Sequence, residues 1–192
     1  MSIEHAILGL LSLRPLTGYD LKKMFAGSVA LYWSGNNNQI YKALLELHKG
    51  KLVAQEIHNA QSGPSRKVYT ITPKGLGELK KWVLSAPEMP QLKHTFLIQL
   101  AWADQLTAGE LEGLLSAYEE EVSAQLVMLR AQERHKNLSP AGQLRDAYIN
   151  VTLARTPREA RLWGMIVKNW LAFYENELHW VRQLRKALAE KE

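Results

Sequence analysis

The sequence predicts a mainly α fold in two parts: three to four helices closed by a β-hairpin, then an all-helical C-terminal half. Three observations predict it. Apolar residues recur at three- and four-residue spacing through most of the chain, and strand-like alternation replaces that spacing over 51–57 and 67–71. The expected helices begin at short polar capping sequences, often with proline beside them. Charge is divided: residues 1–85 hold 11 Lys/Arg against 5 Asp/Glu, a net of +6, whereas residues 86–192 hold 13 against 14, a net of −1. A basic half joined to a neutral half points to one part that meets a polyanion and one that meets a partner.

The first expected helix carries Ile3, Ala6, Ile7, Leu10 and Leu11 on one face and stops at Arg14-Pro15, because the residue before proline avoids the helical region. Glu4 and His5 interrupt its apolar run, so Ile3 to Leu13 reads as a core helix and not as a signal peptide. Thr17-Gly-Tyr-Asp20 is a capping box in its aspartate form and opens a second helix to about Ala26 or Gly27, with Leu21, Met24 and Phe25 inward. The polar run Trp33 to Gln39 places Asn36 as the cap of a third helix, buried through Ile40, Leu44 and Leu47.

The outer side of that third helix offers Asn37, Asn38, Gln39, Tyr41 and Lys42. Asparagine and glutamine can pair bidentately with adenine, and lysine can reach guanine or a phosphate. The residue types therefore suit the major groove of duplex DNA, whereas Asn36 alone is a cap. Lys51 to Ile57 and Lys67 to Ile71 read as two strands around the turn-rich segment His58 to Arg66. A hairpin with Arg66 and Lys67 beside such a helix is a wing, placed to meet phosphates or the minor groove. Thr72-Pro73 then caps a fourth helix through Leu76, Leu79 and Val83. These elements in this order make a winged helix-turn-helix, and Thr17 and Tyr19 at the start of the second helix join the candidate DNA contacts.

Three stretches make the chain resemble the PadR family of bacterial transcriptional regulators: Leu16 to Leu21, Gln39 to Leu44 with Leu47 and Leu52-Val53, and Arg66 to Gly75. The second half resembles the all-helical C-terminal domain of the longer members through its helix order and its Phe96-Leu97 and Trp170 regions. The resemblance implies a homodimer that binds a near-palindromic operator in double-stranded DNA, usually to repress, and the lack of cysteine, signal peptide and apolar span makes a reducing cytoplasm the expected location. In some members a small aromatic or cationic effector releases the DNA, and its identity does not carry over. The chain departs from the family in one place. Glycine usually stands directly before the Leu-Val pair, where this chain has Lys51, with Gly50 one position earlier. That departure bears on local cap geometry and not on the fold.

Ala86 to Pro90 is the best break in the chain, dividing a DNA-binding domain (1–86) from a helical dimerisation domain (87–192). Beyond it a helix is expected from Leu92 to about Ala103. A long helix follows from the box Thr107 to Glu110, with the stripe Leu111, Leu115, Tyr118, Val122, Leu126 and Leu129. Another is expected from Ser139-Pro140 to about Arg155, and a last one from the box Thr156 to Glu159 to about Ala189. The last carries two apolar stripes, one including Trp163, Val167, Trp170, Tyr174 and Val181, the other Leu162, Ile166, Phe173 and Trp180. Two stripes need two partner surfaces, so Leu115, Val122, Trp163, Ile166, Trp170, Phe173 and Tyr174 are the candidate dimer contacts. Its tryptophans read first as core and interface anchors and second as the lining of an effector pocket.

Other chemistry finds no support. The chain has no cysteine, which excludes disulfides, thiolate zinc sites and cysteine nucleophiles. His5, His48, His58, His94, His135 and His179 form no metal-ligand spacing, and Glu119-Glu120-Glu121 point to different helix faces. No glycine-rich phosphate loop or serine elbow is present, and no apolar run is long enough for a membrane. No enzyme activity, cofactor or metal is expected. The readings from other classes are a protein-interaction scaffold built on the winged helix and a small-molecule carrier built on the tryptophan-rich half.

Overall fold

A computed structural model describes residues 3–27, 37–58, 65–89, 94–135 and 155–189. In chain order these form α1 (Ile3–Leu11), β1 (Leu16–Thr17), α2 (Gly18–Gly27), α3 (Asn37–Lys49), β2 (Val53–His58), β3 (Arg66–Ile71) and α4 (Pro73–Val83). Then come α5 (Thr95–Ala101), a 3-10 turn (Ala103–Gln105), α6 (Ala108–His135) and α7 (Pro157–Ala189). They fall into two compact units, one holding α1 to α4 and the strands, the other α5 to α7. The expected fold class, a winged helix-turn-helix followed by long helices, is what the chain adopts.

In the first unit the apolar spacing does what it predicts. Ile3, Ile7, Leu8, Leu10 and Leu11 of α1 are buried with Leu21, Met24 and Phe25 of α2 and Ile40, Ala43, Leu44 and Leu47 of α3. The box at α2 is complete: the Asp20 carboxylate accepts from the Thr17 N–H at 2.9 Å and from its hydroxyl at 2.6 Å, and that hydroxyl accepts from the Asp20 N–H at 3.1 Å. The Asn36 cap lies outside the described residues.

The sequence reading found a hairpin, and the chain builds a three-stranded sheet of order β1-β3-β2. β1 pairs antiparallel with β3 through Leu16↔Tyr69 and Thr17↔Val68. Two residues are too short for alternation to show, and the extended entry set by Pro15 is the only local signal for it.

The departure at Gly50-Lys51 resolves into a helix cap. Lys51 takes the left-handed conformation, φ 58°, and is the only non-glycine residue at positive φ among those described. Its N–H donates to the His48 carbonyl and that of Leu52 to the Leu47 carbonyl, both at 2.9 Å, the bond pair of a Schellman motif. The cap geometry that glycine usually supplies is therefore kept, with a lysine side chain bearing the strain. The start of α4 closes over this cap. Thr72 donates its hydroxyl to the Lys51 and Leu52 carbonyls (2.8 and 3.0 Å) and accepts from the Gly75 N–H at 3.0 Å. The Lys74 ammonium donates to the Gly50 carbonyl at 2.8 Å. A Cβ at Gly75 would stand 2.1 Å from the Leu52 carbonyl oxygen, so only glycine lets the segments approach this closely.

In the second unit α5 is shorter than expected, because His94 caps it at 94 and the 3-10 turn follows its end. The helix expected from Ser139 to Arg155 lies in residues 136–154, outside those described. α6 opens on the predicted box, the Glu110 carboxylate accepting from both the N–H and the hydroxyl of Thr107. At α7 Thr156 caps the Glu159 N–H at 3.1 Å, but the Glu159 carboxylate reaches one residue further back, to the N–H and guanidinium of Arg155. α7 spans about 50 Å at 1.5 Å per residue. Phe96 of α5, Leu115 of α6 and Val181 of α7 form its buried centre, and the Phe96 and Tyr118 rings stack at 3.8 Å. Val122, Leu126 and Leu129 of α6 and Val167 of α7 are buried as well.

Candidate nucleic-acid interface

The capping box fixes where α2 begins, and Gly18 at that start leaves a bare backbone. Tyr41, one turn into α3, fills the gap: a Cβ on Gly18 would lie 2.7 Å from Tyr41 Cε1. Tyr41 still exposes half its surface. Burial, and then the Tyr41 phenol, push the Tyr69 hydroxyl above its ordinary pKa.

The predicted contacts of α2 and α3 differ in exposure. Asn38, Gln39 and Lys42 are exposed on the outer side of α3, and Asn37 is its first residue. Tyr19 is exposed on α2, with the Lys23 ammonium 5.0 Å from its ring centroid. Thr17 is placed differently: it is half-buried, and its hydroxyl is occupied on both sides by Asp20. It positions α2. Further along α3, Glu46 pairs with Lys49 at 2.8 Å; Lys49, and to a smaller extent Lys42, hold the Glu46 carboxyl below the usual carboxylate range.

On the wing β2 and β3 pair from Val53↔Ile71 to His58↔Arg66. Arg66 and Lys67 are both exposed, but consecutive strand residues point to opposite faces. Lys67 shares the face of Tyr69, which packs on the helices, and Arg66 shares the other face with His58 and Val68. The register therefore puts Lys67 on the face that Tyr69 turns to the helices and leaves Arg66 on the far face of the hairpin. Two exposed side chains missing from the sequence reading also lie here, Leu45 on α3 and Ile57 opposite Lys67. Neither carries charge or amide, which is why a search for polar chemistry passed over them.

In the second unit the candidate dimer contacts separate. Leu115 and Val122 are buried in the unit's own packing, at 2% and 3% exposure. Trp163, Trp170 and Tyr174 are half-buried, whereas Ile166 and Phe173 are exposed, with Leu162 and Met165 beside them. Trp170, Phe173 and Tyr174 form a cluster with ring centroids 5.2 to 6.2 Å apart. A polar triangle went unpredicted: His94 Nε2 lies 3.0 Å from both Glu177 Oε2 and Tyr118 Oη, and the Tyr118 hydroxyl donates to Glu177. It joins α5, α6 and α7. Among the described residues no cluster of three or more His, Asp or Glu is placed to hold a metal, and no helix is long and apolar enough to cross a membrane.

Comparison with known proteins adds identity to this geometry. Residues 7–81 match the transcriptional regulator PadR-like family, and residues 92–189 match the virulence activator alpha C-terminal family. The probable transcriptional regulator Rv1176c of Mycobacterium tuberculosis is 26% identical over 202 aligned positions, spanning 100% of both chains. The negative transcriptional regulator PadR of Bacillus subtilis is 28% identical over 113 residues, 58% of this chain and 62% of that protein. The crystal structure of that PadR in complex with operator DNA has the same fold, with a TM-score of 0.75 at 22% identity over 95% of this chain and 96% of that one. A second structure holds it with p-coumaric acid, at a TM-score of 0.67 and 22% identity over 95% and 92% of the two chains. The Vibrio cholerae virulence activator AphA shares the fold over 100% of both chains, with a TM-score of 0.70 at 21% identity.

Proposed function

Because the chain belongs to the PadR-like family of DNA-binding transcriptional regulators, with a C-terminal region of the virulence-activator alpha type, we propose that it is a homodimeric repressor of a near-palindromic operator. Residues 1–86 bind DNA and residues 87–192 hold two copies together in the cytoplasm. Gln39, Asn38 and Lys42 read base edges in the major groove, helped by Asn37 at the helix start. Tyr19, Tyr41 and Lys67 anchor the backbone beside them, Arg66 reaches phosphate from the outer face of the wing, and Thr17 holds α2 in register.

One observation carries this reading: exposed tyrosine, amide and lysine side chains stand on α2, α3 and β3 in the half of the chain with the +6 charge, with Tyr41 of α3 packed against the start of α2 at Gly18. Two copies are favoured by the exposed Ile166, Phe173, Leu162 and Met165, an apolar row along α7 that the described residues of one chain leave in water. A two-fold dimer also raises affinity by avidity if half-site spacing matches its geometry. A small aromatic or cationic effector is a secondary reading, favoured by the Trp170–Phe173–Tyr174 cluster and by the p-coumaric acid seen with the Bacillus subtilis relative.

Selection of bound duplexes from a random pool tests the main reading, with recovery of a palindrome expected. On that duplex Gln39→Ala weakens specific binding, whereas Lys67→Ala weakens specific and non-specific binding alike and reduces the salt slope by about 0.9. No enrichment by the purified protein, or retention of wild-type binding by both variants, would overturn it. Salt-insensitive capture of a protein partner, without DNA, would favour the scaffold. Tight ligand binding with no effect on DNA affinity would favour the carrier.

A further inference from the structure

The outward side of α3 carries a side chain that the proposed DNA contacts do not use. Leu45 is 53% exposed. The buried residues Ile40, Ala43, Leu44 and Leu47 define the inward side of this helix. At 3.6 residues per turn, Leu45 stands roughly 150° around the helix from the centre of that side. It therefore belongs to the outward stripe with Asn38, Lys42 and Lys49, all of them exposed. Helix propensity does not demand leucine there, since lysine, glutamine and arginine meet it nearly as well. A single exposed leucine on an ordinary surface needs no explanation. This one stands within the polar stripe proposed to face the bases.

Its place suits the groove. A helix lying in the major groove turns positions i, i+4 and i+7 of one face toward the bases. Counted from Asn38, the later two are Lys42 and Leu45. Asn38 and Leu45 are about 10 Å apart along the axis at 1.5 Å per residue, or about three base pairs at 3.4 Å each. Glu46, the acidic neighbour of Leu45, is paired with Lys49 at 2.8 Å, which offsets its repulsion of the DNA. In the major groove the apolar group on the base edges is the thymine C5-methyl. Leucine has neither donor nor acceptor, so the methyl is what it can cover without leaving a base polar atom unpaired. Set over cytosine instead, the same side chain would desolvate the exocyclic amino group.

Resting on the reading that α3 enters the major groove, we propose that Leu45 packs on a thymine methyl and is a specificity-determining residue of the half-site. The half-site then carries an A·T pair, oriented with its methyl under Leu45, within about three base pairs of the pair that Asn38 reads.

The test uses the full chain and the duplex recovered by random-pool selection. Each thymine of one half-site is replaced in turn by deoxyuridine, which keeps the pairing and the O4 acceptor and lacks the methyl. At one position the replacement weakens binding about fourfold, the worth of one buried methyl. Leu45→Ala withdraws the side chain and keeps helix propensity. It weakens binding to the thymine duplex and brings the uracil penalty at that position below about twofold, the expected signature of a pairwise contact. Its salt slope stays at the wild-type value, because no phosphate contact is altered, and its thermal midpoint reports that it is folded. A half-site without thymine, a wild-type protein indifferent to uracil at every position, or a folded Leu45→Ala variant with the penalty undiminished overturns the proposal and leaves operator binding intact. Failure of the wild-type protein to enrich any duplex overturns the operator reading and this proposal together.

Discussion

Five of the nine residues of α1 are buried, whereas α7, with 33 residues, fully buries only Val167 and Val181 among them. The first unit turns the apolar stripes of α1, α2 and α3 inward and clamps the end of α3 to the start of α4 through Thr72, Lys74 and Gly75. The second carries a comparable supply of apolar residues but spreads them around a long helix, and ties α5, α6 and α7 with side-chain bonds. The difference teaches that short helices can bury one whole face in a common core, whereas a 33-residue helix leaves Leu162, Met165, Ile166 and Phe173 exposed among the described residues.

The largest effect is expected where the first unit has no room. Gly75→Val puts a side chain into the Leu52 carbonyl, which cannot retreat without breaking the Thr72 bonds. A loss of about 3 kcal/mol or more follows, read as a fall in the thermal midpoint with DNA binding failing at the same temperature. Retention of the wild-type midpoint would mean that the α3–α4 closure is looser than its geometry.

The second unit breaks differently. Phe173→Glu places a carboxylate on the exposed face of α7 at the cost of the ring contacts with Trp170 and Tyr174, so the thermal midpoint is followed beside the mass. Association is expected to weaken by about 2 kcal/mol or more, as for a buried aromatic anchor, read as a shift from dimer to monomer mass in sedimentation. Leu115→Ala opens a cavity in the chain's own core and costs about 2 to 5 kcal/mol of folding stability. If Phe173→Glu leaves the mass unchanged, the exposed row is not the interface.

The polar triangle gives a smaller and pH-dependent effect. Burial first, and then the hydrogen bond and charge of Glu177, raise the Tyr118 hydroxyl well above its ordinary pKa. Because the folded value is the higher one, its contribution is full below about pH 10 and is lost as pH rises further. Burial raises Tyr69 and Tyr174 in the same direction. Tyr118→Phe is expected to cost about 1 to 2 kcal/mol near neutral pH and to flatten part of the alkaline loss above about pH 10. An equal alkaline slope in both proteins would remove Tyr118 from that titration.

What could be read in the sequence follows the range of the interactions involved. The threonine caps at Thr17, Thr72, Thr107 and Thr156 were legible because each hydroxyl accepts from an N–H three residues on. The buried stripes of α1, α3 and α6 were legible because their period is local. β1 was not, since its existence depends on a pairing with Tyr69 some fifty residues away. The His94–Tyr118–Glu177 triangle was hidden for the same reason, as its members stand 24, 59 and 83 residues apart. In the candidate site residue types pointed to Gln39 and Lys42, but only strand register and burial could show which face of the hairpin each of Arg66 and Lys67 takes.

The smallest prediction concerns Lys51 and has the opposite sign. Its φ of 58° is a conformation that costs a residue with a Cβ roughly 1 to 2 kcal/mol. The Schellman bonds and the Thr72 clamp hold it there from both sides. Lys51→Gly removes the strain but adds freedom to the unfolded chain, so the net gain is expected to be about 0.5 to 1 kcal/mol, seen as a higher thermal midpoint. The same substitution deletes an exposed ammonium from the basic unit. Unchanged specific affinity and an unchanged salt slope would show that lysine at 51 is tolerated by the fold and not used on DNA. A stabilised variant with a slope lower by about 0.9 would show instead that the strain is kept for a phosphate contact at the base of the wing.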